Sequence, residues 1–76
     1  MQELIHCANS GRGWAAERAQ VALQIAAALE QKQIDPSEAK ELLEDLIRTD
    51  KLDAEADDIQ LKTMLVTGIY AVIQVI

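Results

Sequence analysis

The sequence lacks the covalent and metal-based aids that stabilise many small proteins. It has one cysteine, Cys7, in 76 residues, so it cannot form an internal disulfide. His6 is the one histidine, and no Cys/His set has the spacing of a zinc site. We therefore expect no metal and no cofactor. A chain this short buries a modest share of its surface, and oligomerisation is the remaining common source of stability.

Helix-breaking residues and aromatic residues are both scarce. The chain has one proline, three glycines, one Trp, one Tyr and no Phe. Ala, Leu, Glu, Lys and Gln dominate, and these residue types favour helices. The composition predicts an all-α fold, a small helical bundle that forms a single domain over residues 1–76.

Concentrated positive charge is also missing. Seven Lys and Arg stand against thirteen Asp and Glu, which gives a net charge of −6. Nucleic-acid binding requires clustered Lys and Arg that displace phosphate counterions, so we expect no direct nucleic-acid binding. The acids concentrate within 35–62, and this favours a solvated acidic face over a site for a basic partner.

No secretory signal is visible, because the N-terminus lacks a basic start, an apolar run and a small-residue cleavage site. The uncharged stretch at 63–76 is shorter than the about 18–20 apolar residues of a spanning helix, and Lys62 precedes it. We expect a cytoplasmic location, or one inside a virus particle, rather than secretion. Membrane association is the less favoured alternative.

Hydrophobic periodicity predicts four helices. A short helix at 1–9 ends at a joint that contains Gly11, and three longer helices follow at 14–32, 36–48 and 54–76. The first long helix carries a seam of small residues, formed by Ala15, Ala19, Ala22, Ala26 and Leu29. Because the alanine side chain is small, we expect another helix to pack closely against this seam.

The clearest local signal precedes the helix at 36–48. Asp35 is the predicted N-cap, and Pro36 takes the first helical position, where its missing N–H has no cost. Glu38 follows the cap by three residues and can reach back to its N–H, as in a capping box. For the last helix, the predicted cap is Asp50 or Asp53.

The stretch from Ile59 to Ile76 dominates the pattern. Its polar residues recur at steps of three and four, which places them in one narrow stripe on a helix: Gln60, Thr63, Thr67, Tyr70 and Gln74. Apolar side chains cover most of the remaining circumference, and such a helix is buried in a core or against copies of itself. We expect that so short a chain cannot bury it alone and therefore self-associates.

The predicted interface residues are Leu65, Val66, Ile69, Val72, Ile73, Ile76 and Trp14. Trp14 lies between Arg12 and Arg18, and Trp and Arg are enriched at interface hot spots. A second interpretation of Trp14 is that it closes one end of the core.

Catalytic and metal-binding patterns are weak in this sequence. His6 and Cys7 are adjacent but lack a third group that could orient them as a catalytic pair. A D-x-E-x-D run starts at Asp53 as in a calcium loop, yet Asp58 and Met64 occupy the positions of the required Gly and Glu.

We therefore expect a non-catalytic structural or assembly subunit that oligomerises through its apolar C-terminal helix. A component of a larger bacterial or phage particle would have this compactness. The alternative is an acidic regulatory binding module, an adaptor or inhibitor that docks on a larger protein.

Overall fold

The computed structural model of the chain describes residues 2–48 and 50–76. Within them the chain forms five helices: α1 (Gln2–Ala8), α2 (Gly13–Glu30), α3 (Pro36–Arg48), α4 (Asp50–Glu55) and α5 (Ile59–Gln74). No strand occurs in these two ranges, and the predicted all-α class is confirmed. α3 begins at Pro36, directly after Asp35, and ends at Arg48, as the sequence predicts.

The predicted continuous helix at 54–76 is wrong. Residues 56–58 are not helical, and the chain is divided there into α4 and α5. Asp58 adopts an extended backbone with φ −137° and ψ 106°, and its Oδ1 accepts the N–H of Leu61 at 3.0 Å. Asp58 is therefore the N-cap of α5, in place of Asp53 or of Asp50, whose side chain lies outside the described part. An aspartate can end one helix and start the next because its carboxylate competes for backbone N–H groups.

α2 lies at the centre of the bundle and packs on α1, α3 and α5. Its alanine seam allows this, because Ala15, Ala19 and Ala22 are fully buried. The turn after α2 places Lys32 at φ 61°, and the Gln33 N–H donates to the Ala28 carbonyl at 2.8 Å. That turn folds α3 back along α2, as the short connection predicts.

The first helix approaches α5 closely at Gly68. A Cβ placed on Gly68 would lie 3.0 Å from Leu4 Cγ and 3.1 Å from Glu3 Cβ. Because glycine has no Cβ, α1 can lie this close to α5. Gly11 supports the same packing, because its φ of 76° lets the chain turn from α1 into α2.

The core draws on all five helices. Its largest fully buried side chains are Leu4, Leu43, Leu52, Leu65, Ile69 and Cys7. The predicted polar stripe of α5 is confirmed, because all five of its residues are exposed. α5 therefore turns one side to solvent and contacts α1, α2 and α3 with the rest.

Replacing Gly68 by alanine is expected to lower the free energy of unfolding by about 1 kcal/mol. The new Cβ overpacks the α1–α5 contact, at a cost of about 1–3 kcal/mol. Alanine's better helix propensity offsets about 1 kcal/mol of it. Urea denaturation followed by circular dichroism measures the difference.

Gly13→Ala is the matched control, because a Cβ there meets nothing within 4 Å. It should leave stability unchanged or raise it by about 0.4–1 kcal/mol. Equal behaviour of the two variants would show that α1 does not press on Gly68.

Candidate interaction surface

The short helix α1 lies in the groove between α2 and α5 and contacts both. The Cys7 thiol donates a weak hydrogen bond to the Leu61 carbonyl, with sulfur and oxygen 3.9 Å apart. Leu4 lies against Gly68, which is about two helical turns further along α5 than Leu61. α1 therefore runs opposite to α5, and its N-terminus is directed towards the C-terminal end of α5.

Towards the C-terminal ends of α2 and α5, the groove between them is open, with a volume of about 410 Å³. We call this opening the α2/α5 groove, and its lining residues are Ala26, Leu29, Glu30, Ala71, Val72 and Val75. The two alanines form a recess because their side chains are too short to fill it. Val75 is 81% exposed and projects beside that recess. Among the described lining residues, Glu30 alone carries a charge.

Three of the predicted interface residues belong to the chain's own core. Leu65 and Ile69 are fully buried, and Val72 is 5% exposed. They therefore lie inside the bundle of the single chain, although Val72 also lines the α2/α5 groove, and a contact between copies through them stays a prediction. The physical reason is that α1 adds a third wall around α5, beside α2 and α3.

The other predicted interface residues on α5 retain some exposure. Val66 and Ile73 are half-buried against the core, and Ile76 is 37% exposed. Val66 also lines a shallow depression of about 400 Å³ on the outer side of α5, together with Ile59, Lys62, Thr63 and Thr67. That second depression is less apolar than the α2/α5 groove, because a lysine and two threonines line it.

Trp14 closes one end of the core, which agrees with the second of its two interpretations. The ring packs half-buried against the core residues, and its Nε1–H donates to Asp57 Oδ1 at 3.0 Å. Arg12 binds the other oxygen of the same carboxylate, with Nη1 and Oδ2 3.0 Å apart. Both carboxylate oxygens of Asp57 are therefore bound by residues at the start of α2.

The acidic run before α5 is paired within the chain. Arg18 Nη2 lies 2.9 Å from Glu55 Oε2, and Lys62 is paired with Asp53. The Arg18–Glu55 pair and the contacts of Arg12 and Trp14 with Asp57 join the end of α4 and the following residues to α2, and we call these contacts the clasp. The Asp53–Lys62 pair instead joins α4 to α5. In the part of the chain that is described, no three His, Cys, Asp or Glu side chains lie close enough together to hold a metal ion.

His6 and Cys7 occupy different environments although they are neighbours in the chain. Cys7 is fully buried, whereas His6 is exposed. Burial raises the pKa of the Cys7 thiol, and the carboxylate of Glu3 raises it further. The thiol is thus the less reactive protonated form at neutral pH, and the geometry does not join the two side chains as nucleophile and base.

Asp35 and Glu38 flank the start of α3 as the sequence predicts. The Asp35 carbonyl accepts the N–H of Ala39 at 2.9 Å, which is the first hydrogen bond of the helix. Glu38 lies in the first turn and is exposed to solvent. The contact between the two side chains stays a prediction.

Sequence reasoning did not single out the groove itself. The sequence places Ala26 and Leu29 at the end of the alanine seam, and it places Val75 in the stretch from Ile59 to Ile76. The missing information was that α2 and α5 run in the same direction, with Trp14 and Asp57 joined at their starts. That parallel arrangement brings residues 26–30 and 71–75 to one end of the bundle.

None of the helices within residues 2–48 and 50–76 has both the length and the apolar character that crossing a bilayer requires. Comparison with known proteins finds no protein-family model, no curated protein and no solved structure that matches this chain.

Proposed function

We propose that the protein is a non-catalytic assembly subunit that self-associates through the C-terminal end of α5. The observation that carries this proposal is the apolar surface left at that end after the core has formed. Val75 is 81% exposed and Ile76 is 37% exposed, and they adjoin the open α2/α5 groove. Apolar surface of this kind is stabilised when a second molecule covers it.

The distribution of charge favours self-association at the same end of the molecule. The chain has a net charge of −6, yet residues 63–76 contain no charged side chain. Two copies that approach through their acidic parts repel each other, whereas the uncharged end adds no side-chain repulsion of its own. Self-association is therefore least opposed at the C-terminal end of α5.

The mass of the pure protein should rise with concentration, and association should become tighter as salt increases. Salt screens the repulsion between two acidic molecules, since the screening length falls from about 10 Å at 0.1 M to about 3 Å at 1 M. An apolar contact is not weakened by this screening. Light scattering coupled to size-exclusion chromatography at both salt concentrations measures the effect. A monomer throughout would reject the proposal.

A pair of substitutions locates the contact. Ile76→Asp places a negative charge at the proposed end, whereas Ile59→Asp places it at the start of α5, where Ile59 is 82% exposed. We expect Ile76→Asp to reduce the mass to that of the monomer and Ile59→Asp to leave association unchanged. The reverse result would place the contact on the outer side of α5.

The second candidate, an acidic regulatory binding module, draws its support from α3. Glu41 and Asp45 are exposed on its outer face, beside the half-buried Glu44. A basic partner would bind this face, and added salt would weaken that complex. A chain that stays monomeric and binds a positively charged protein only at low salt would favour this function.

A further inference from the structure

We infer that two copies of the chain dimerise by exchanging their first helices, so that α1 of each copy binds the surface of α2 and α5 that α1 covers within a single chain. We call that surface the α1 site. The inference goes beyond the proposed function, because this exchange does not require the contact proposed at the C-terminal end of α5. The occupant of the site is a second copy of the chain, which binds through its residues 2–8.

The α1 site has a shape and a hydrogen-bond acceptor that match α1. Leu4 is fully buried there against Gly68, where an added Cβ would lie 3.0 Å from the leucine side chain. Cys7 is fully buried as well, and its thiol donates to the Leu61 carbonyl. A second copy carries the same helix and makes the same contacts. The contacts within one chain therefore identify the segment of a partner that fits the site.

The connection between α1 and α2 is a turn with the exposed Gly11 at its centre. The Ser10 hydroxyl donates to the Cys7 carbonyl at 2.7 Å, so this hydrogen bond moves with α1. The Arg12 carbonyl accepts the N–H of Ala16 at 2.7 Å, so that hydrogen bond stays with α2. The Arg12 N–H joins the two sides through Ser10 Oγ, in an exposed hydrogen bond of 3.3 Å. A rotation at Gly11 therefore separates α1 from α2 with little loss of hydrogen bonding.

The start of α2 keeps its own contacts when α1 leaves. Arg12 and Trp14 lie on the α2 side of Gly11, and each binds the Asp57 carboxylate at 3.0 Å. Residues 9–12 span up to about 14 Å when they are extended. The exchanged dimer therefore has the starts of its two α2 helices near each other, on either side of a two-fold axis.

The turn at Gly11 controls the balance between monomer and exchanged dimer. Exchange replaces each contact of α1 by the same contact in the partner, so the two states differ in the turn and in the entropy of association. Glycine adopts the φ of 76° at this turn without a steric penalty, which favours the monomer. A short connection also holds α1 near its own site at an effective concentration of about 1 mM. We therefore expect the unmodified chain to exchange α1 at millimolar concentrations.

Gly11→Val tests the exchange, with Gly13→Val as the matched control. An added Cβ meets nothing within 4 Å at either position. Gly11 has the positive φ that a β-branched residue avoids, and Gly13 does not. Exchange extends the turn and relieves this strain in both copies. Gly11→Ala repeats the comparison with less strain, in case the valine prevents folding.

All these variants also carry Ile76→Asp, which opposes the proposed contact at the end of α5. Each is unfolded in urea, refolded at about 1 mM, and studied by sedimentation equilibrium and by the reaction of Cys7 with iodoacetamide under native conditions. We expect the dissociation constant of Gly11→Val to be at least about tenfold lower than that of Gly13→Val, because each dimer relieves two strained turns. Cys7 should be protected in both, because α1 is bound in the monomer and in the exchanged dimer.

A Gly11→Val chain that stays monomeric overturns the inference, whether Cys7 is protected or reactive. Equal dissociation constants for the two valine variants overturn it as well. So does a dimer in which Cys7 reacts as fast as in urea, because its α1 sites would then be empty. The proposed function is decided separately, by whether Ile76→Asp alone lowers the mass of the chain with both glycines.

Discussion

Replacing Ile69 by aspartate is expected to unfold the chain. Ile69 is fully buried at the centre of α5, where that helix is enclosed by α1, α2 and α3. The substitution removes about 1.5–3 kcal/mol of apolar burial. It also places a carboxylate in the core, and an unpaired buried charge costs several kcal/mol more. A single core of this size supplies only about 3–5 kcal/mol in total, so the folded state is lost.

Far-ultraviolet circular dichroism at 25 °C measures the outcome, with Thr67→Asp as the matched control. Thr67 lies two residues away on the same helix and is exposed, so its variant gains the same charge without entering the core. We expect it to remain folded. The sequence pattern alone leads to a different expectation, in which Ile69→Asp separates copies of the chain and residues 14–48 stay helical. A folded monomeric Ile69→Asp variant would therefore return Ile69 to an interface.

The difference between these two expectations has a specific origin in α1. The apolar arc of α5 is too wide for α2 and α3 to cover, and the sequence pattern therefore predicts that other copies complete the burial. Leu4 and Cys7 provide the missing cover from within the same chain, because both are fully buried. A seven-residue helix is not stable alone, so its periodicity is weak evidence for where it packs.

Local signals predicted the parts of the fold that depend on local physics. The Asp35–Pro36 pair fixes the start of α3, because proline favours the first helical position whatever surrounds it. The polar stripe of α5 was predictable for a similar reason, since the spacing of its five residues depends only on helical periodicity. A glycine within an apolar helix permits either a kink or a close crossing, and at Gly68 the structure has a close approach of α1.

The break between α4 and α5 depends on partners that are distant in sequence. Ala56 and Asp57 contain no feature that excludes a helix, and a continuous helix at 54–76 is compatible with their propensities. The clasp overrides that preference, because Arg12, Trp14 and Arg18 bind the carboxylates of Glu55 and Asp57. Exposed ion pairs contribute only about 0.2–1 kcal/mol each. The N-cap at Asp58 therefore adds to the free energy that favours a break between α4 and α5.

The candidate surface could be predicted only in part. In the uncharged C-terminal stretch Val75 and Ile76 retain apolar surface, and Ile59 retains it at the start of α5. The sequence could not indicate which side of α5 faces outward, because that depends on where α1 lies. Ala26 and Ala71 are 45 positions apart in the sequence. The recess between them forms only when α2 and α5 lie side by side in parallel.

Replacing Leu4 by alanine is expected to lower the free energy of unfolding by about 3 kcal/mol. Leu4 is fully buried between α2 and α5, and removing a buried leucine costs about 2–5 kcal/mol through lost burial and the cavity that remains. Ile5→Ala is the neighbouring control, because Ile5 is 49% exposed and should change stability by less than about 1 kcal/mol. Urea denaturation of the two variants decides whether α1 belongs to the core.

A double substitution tests the same contact from both sides. Leu4→Ala removes the Leu4 atoms that a Cβ on Gly68 would meet at 3.0 Å and leaves the Glu3 Cβ at 3.1 Å, so alanine at position 68 should be less crowded. The variant with both substitutions should therefore be more stable than the sum of the single effects predicts, by about 0.5–3 kcal/mol. Simple additivity would mean that α1 does not lie against α5, and the wide apolar arc of α5 would again require a cover from another molecule.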